Sequence, residues 1–184
     1  MQNHSCASLL PIVAFVMGAT TLTGCNRQPA SPAKSPTTRA AAPQHEHHAP
    51  HKGCLVELGE EFAHLELLLD PQTGILTAYA LDGEAENPVR LKQRSIELTI
   101  TKLTVDGKEV SMVTADAPLI VTLKPEANVL TGETVGDTSQ FTVQSTGLIR
   151  ASRFTGTIRH VESRGQEFTQ VKLQYPEGNE AEKH

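Results

Sequence analysis

The sequence predicts an all-β fold, a single antiparallel β-sandwich of the Ig-like or open-barrel kind, over residues 54–176. Three observations lead there: short runs that alternate apolar and polar residues, turn residues between those runs, and no stretch with a helical period. Residues 62–70 (FAHLELLLD) set Ala63, Leu65, Leu67 and Leu69 on one face and His64 and Glu66 on the other. Asp70-Pro71-Gln72-Thr73-Gly74 is turn chemistry, because proline presets the first turn angle and glycine accepts a positive φ. The run ILTAYALDG that follows returns as the second strand of a hairpin. Ile96, Leu98 and Ile100 alternate with Glu97, Thr99 and Thr101; the phase then slips to Leu103 and Val105, which predicts a bulge near Lys102. Asp106-Gly107, between two alternating runs, is the strongest hairpin signal in the chain. Further strands are expected at 119–123, 140–144, 153–161 and 168–175.

Around this domain the composition changes. Residues 1–24 read as a lipoprotein signal peptide: an apolar run over 7–22 is followed by Leu22-Thr23-Gly24-Cys25. That ending resembles the bacterial lipobox, in which the leader is cut before the cysteine and the cysteine carries lipid. Cys25 is therefore the expected lipidation site, and it places the mature chain in the cell envelope, lipid-anchored and facing the periplasm. Asn26 after Cys25 favours the outer membrane. Residues 25–53 read as a disordered tether, with prolines at 29, 32, 36, 43 and 50 and hardly a large apolar side chain. The tether carries four Lys and Arg against Glu46 alone; residues 54–184 carry 12 against 20 acidic residues, a net of −8. An acidic domain argues against nucleic acid as a partner, and a basic tether suits an anionic membrane. Residues 177–184 are expected to fray.

No enzyme signature is present: there is no G-x-S-x-G, P-loop, H-E-x-x-H or C-x-x-C. Once Cys6 leaves with the leader and Cys25 is lipidated, Cys54 has no disulfide partner; opening the apolar run CLVEL, it reads as a small buried hydrophobe. Chemistry concentrates instead in PQHEHHAPHKGC, which carries His45, His47, His48 and His51. Neutral imidazole is a good ligand for zinc and copper, and Glu46 offers an oxygen. Two to four imidazoles converging from a flexible segment would make a labile, unselective site suited to capture and release. His64, on the first long strand, is a further candidate ligand from the domain edge. The bland alternative is a polar spacer whose histidines hold nothing.

The stretch HHAPHKGCLVELGEEFAHLELLLDPQTGILTAYALDG resembles a segment of small uncharacterised bacterial lipoproteins. It is similar also to the N-terminal extension on periplasmic adaptor subunits of heavy-metal efflux pumps. The shared pattern is a histidine-rich lead, then G-x-L-V-E-L-G (53–59), H-x-E-L (64–67) and G-x-x-x-x-Y-x-L-D (74–82). One position departs: the lead runs His-Gly-Gly in the pattern and His51-Lys52-Gly53 here. The resemblance implies a role in metal export or envelope stress, with an efflux pump or other envelope protein as partner. The expected function is binding or buffering of divalent transition metal, zinc or copper held weakly. The alternative is a non-catalytic envelope protein–protein interaction module with a passive tether.

Overall fold

The computed structural model describes residues 47–111 and 118–179. Cys25 and His45 lie outside the described residues, as do the leader and the tether up to Glu46. Among the described residues nine strands follow one another: β1 (Cys54–Leu58), β2 (Ala63–Asp70), β3 (Ile75–Leu81), β4 (Ile96–Val105), β5 (Lys108–Ser111), β6 (Leu119–Pro125), β7 (Gln140–Gln144), β8 (Ala151–Ser163) and β9 (Gln166–Tyr175). Every pairing is antiparallel, in the order β1-β2-β3-β7-β6-β4-β8-β9, with β5 added to β4. The all-β antiparallel fold expected from the alternation is the fold adopted, as a nearly closed barrel.

The joint between the two halves of the barrel is narrow, since β6 meets β7 only at Lys124–Thr142 and Pro125–Phe141. The bulge on β4 falls at Thr101, skipped between Ile100–Gly156 and Lys102–Thr155, one residue from the expected place. Leu65, Leu67, Leu76, Leu98, Ile100 and Phe141 fill the interior, each at most 2 % exposed. At about 25 cal/mol per Å² of apolar surface removed from water, these inward faces are what holds the barrel together. Among the described residues the core and every strand pairing lie within the unit Gln44–His184, which has what it needs to fold alone.

Both expected edges of the domain move outward. After β9 the chain turns back, and Gly178 pairs with Gln174. Asn179 then acts as a surrogate strand: its Oδ1 accepts from the Glu57 amide at 2.8 Å and its Nδ2 donates to the Glu57 carbonyl at 3.1 Å. This closes the seam between β1 and β9. Gly178 has φ 86°, and a Cβ there would lie 2.0 Å from the Leu55 carbonyl oxygen, so only glycine fits. The charged composition of the tail concealed this, because two side-chain hydrogen bonds to an open strand edge need no apolar residue.

At the other end, residues 47–53 lie against the outer face of β2 rather than in solvent. Gly53 makes the approach feasible, since a Cβ there would sit 2.5 Å from Leu68 Cδ1 and 2.7 Å from the Leu67 carbonyl oxygen. Lys52 has φ 62°, a left-handed conformation that a glycine adopts freely and a lysine at a cost. The departure from His-Gly-Gly thus falls where the backbone asks for glycine.

Candidate functional site

The site is built where the lead segment crosses β2. Alternation puts His64 and Glu66 on the face opposite Leu65 and Leu67, and in isolation that face would be wet. Here both side chains are fully buried, each 0 % exposed. Glu66 is satisfied by three donors from the lead. Its Oε1 accepts from the amides of His51 and Gly53, both at 2.8 Å, and its Oε2 accepts from His51 Nδ1 at 2.7 Å. A buried carboxylate needs that many partners to offset its desolvation. The His51 ring is also stacked on Tyr79, with centroids 4.0 Å apart and planes at 14°.

Four residues upstream, His47 is folded over His64, with ring centroids 4.8 Å apart and planes at 45°. The His47 side chain is only 7 % exposed, and its Nε2 makes no hydrogen bond among the described residues. The nearest carboxylate oxygen is Glu61 Oε1 at 3.9 Å. Glu61 sits in the β1–β2 turn, fixed by its amide donating to Glu57 Oε1 at 2.7 Å. His64 Nδ1 lies 3.1 Å from the Asp82 carbonyl oxygen. A carbonyl can only accept, so Nδ1 carries the proton and the lone pair of the neutral ring falls on Nε2. A backbone carbonyl on Nδ1 is the usual orienting contact for a histidine that ligates through Nε2.

Asp82 is itself locked. Its Oδ1 accepts from the Glu86 and Asn87 amides and its Oδ2 from Asn87 Nδ2, at 2.7 to 3.2 Å. Partial desolvation opposes ionisation, but these hydrogen bonds outweigh it and hold the carboxyl below the usual range. The loop that positions the His64 carbonyl partner is therefore held by a carboxylate that stays charged into acid.

The predicted ligands thus separate. His47 and His64 are brought together; His51 is spent on Glu66 and Tyr79; His48 is exposed. His160 stands apart on β8, with Nε2 4.0 Å from Glu167. Among the described residues no group of three or more His, Cys, Asp and Glu is arranged to hold a metal ion. Cys54 is 2 % exposed, and burial, with the charge of Glu177 added, pushes its thiol up to about 12 against the opposing Gly178 amide. That is an inert packed thiol.

Sequence reasoning missed Glu66, which organises the lead. The signal was the H-x-E spacing itself, two polar side chains on one strand face next to a glycine-ended histidine run. Between the docked lead and the loop 126–139 a cleft of about 540 Å³ opens, with His51 and Tyr79 on one side and Arg90 and Glu133 on the other. No family model, curated protein or solved structure matches this chain.

Proposed function

We propose that this chain is a lipid-anchored, non-catalytic envelope protein that captures divalent transition metal, with His47 and His64 as its imidazole pair. The observation that carries the reading is the buried His47 Nε2, which lacks a hydrogen bond among the described residues and belongs to a ring tilted against His64. A buried nitrogen with no protein partner is costly unless some other group occupies it part of the time. Two ligands each about 2.1 Å from a tetrahedral zinc lie about 3.4 Å apart. Glu61 Oε1, at 3.9 Å from that nitrogen, needs only a small shift to share the ion. Exposed His48, water and His45, which lies outside the described residues, are the remaining candidates for ligation. Two fixed imidazoles and exchangeable partners suit weak, reversible binding of zinc or copper, as a buffer or as an accessory to metal efflux.

Calorimetric titration of residues 44–184 with zinc and with copper, near pH 7.5 and near pH 5.5, tests this. Binding should weaken at the lower pH, because protons compete for imidazole. It should be lost in His47→Ala and largely kept in His51→Ala. Loss in His51→Ala with retention in His47→Ala would move the site to the cleft. No heat with either ion would sink metal capture and leave the interaction module, with histidines used structurally as His51 is.

A further inference from the structure

Loop 126–139, between β6 and β7, projects three aliphatic side chains into solvent: Val129 is 89 % exposed, Leu130 94 % and Val135 61 %. They do not sit on a floppy loop. Asn128 and Glu133 exchange backbone hydrogen bonds across the first turn, Thr134 and Asp137 across the second. Arg90 donates to the carbonyls of Thr131 and Gly132, and Glu133 is buried beneath the tip. The aliphatic tips are therefore held outward by polar contacts instead of collapsing onto the barrel.

Val135 also lines a shallow pocket of about 520 Å³ with Lys92, Arg94 and Lys124. Among the described residues no carboxylate contributes to its lining, although residues 54–184 carry 20 acidic side chains against 12 basic ones. Arg90, Arg150, Arg153 and Arg159 each meet a carboxylate, whereas these three cations make no ion pair among the described residues. Cations lining one pocket with Val135, whose loop carries two more exposed aliphatics, match the two layers of a bilayer surface, phosphate headgroups and the acyl boundary below them. Convex tips need no preformed groove in such a partner.

We propose that loop 126–139 and the Lys92–Arg94–Lys124 pocket form a face that docks on a lipid surface carrying anionic headgroups. This face is independent of the metal site and of the lipid anchor. It would lay the domain on the membrane, not merely hold it nearby.

The test is co-sedimentation of residues 44–184, which lack Cys25, with vesicles of phosphatidylcholine alone or with about one lipid in three replaced by phosphatidylglycerol. The chain should sediment with the anionic vesicles and not with the neutral ones, and added salt should release it. Each cation near such a surface is worth about fivefold in partitioning, so Lys92→Gln/Arg94→Gln/Lys124→Gln should weaken binding about 100-fold. Val129→Ser/Leu130→Ser should weaken it about tenfold on the same vesicles. All five positions are exposed, so unchanged circular dichroism would show that both variants fold. Equal binding to neutral and anionic vesicles, no binding to either, or two folded variants that bind like the parent would overturn the proposal.

Discussion

Two segments outside the strands, the lead 47–53 and loop 126–139, are each held by a buried carboxylate. Glu66 takes three hydrogen bonds from the lead, and Glu133 takes three from within its own loop: the Ser139 amide at 2.8 Å, Ser139 Oγ at 2.6 Å and Thr131 Oγ1 at 2.6 Å. The difference is the reach in sequence. Glu133 binds residues two to six positions away, so its loop closes on itself. Glu66 binds residues 13 and 15 positions away, so the lead is ordered only once β2 stands in the barrel. A local clamp survives local unfolding of its surroundings; a long-range clamp ties the histidines to the integrity of the whole sheet.

The largest effect is expected from breaking the long-range clamp. Glu66→Ala should lower stability by about 3 kcal/mol in urea denaturation, since it strands two amides and an imidazole. The His51 and Gly53 amides should lose hydrogen-exchange protection while the Ser139 amide keeps it. Retained protection at Gly53 would show that the lead is not held by Glu66.

Breaking the local clamp should cost less. Glu133→Ala should lower stability by about 1 to 2 kcal/mol and release the Ser139 amide alone. If the lead amides also open, the two clamps are coupled and the contrast fails.

Acid sharpens the comparison further. Burial works against the Glu133 charge, but the Ser139 and Thr131 hydroxyls, the Ser139 amide and nearby Arg90 outweigh it and hold the carboxyl below its ordinary value. A depressed folded value stabilises the protein above the ordinary value of 4.5 and loses that contribution as pH falls through the folded one. Asp82 behaves the same way below 3.8. Melting temperature should therefore drop as pH falls below about 4.5, and Glu133→Gln should flatten that limb by lowering the plateau at neutral pH. An acid limb as steep in Glu133→Gln as in the parent would place the coupling elsewhere.

The smallest effect is expected at Lys52. Its left-handed backbone makes Lys52→Gly stabilising by about 1 kcal/mol, read as a shift in the urea midpoint with the lead amides better protected. Destabilisation would mean that the Lys52 side chain contributes more than its backbone costs.

β1 was legible only as an apolar run, but strands β2 to β4 and β6 to β9, the Asp106-Gly107 hairpin and the bulge on β4 could be read from the sequence. They are set by alternation and turn residues, which act over a few positions. The division of Ala63, Leu65 and Leu67 from His64 and Glu66 onto opposite faces of β2 was legible for the same reason. What covers the second face was not. Alternation says which side chains share a face, never what lies over it, and a histidine-rich, proline-flanked segment has the composition of a solvated chain. Only the assembled barrel sets a buried carboxylate where that segment can satisfy it, separating His51 from His47 and His64. The closing of the seam by Asn179 has the same character, for a side-chain amide 122 residues from Glu57 leaves no local trace. Local chemistry wrote the strands of this protein, and long-range polar satisfaction decided where its histidines meet.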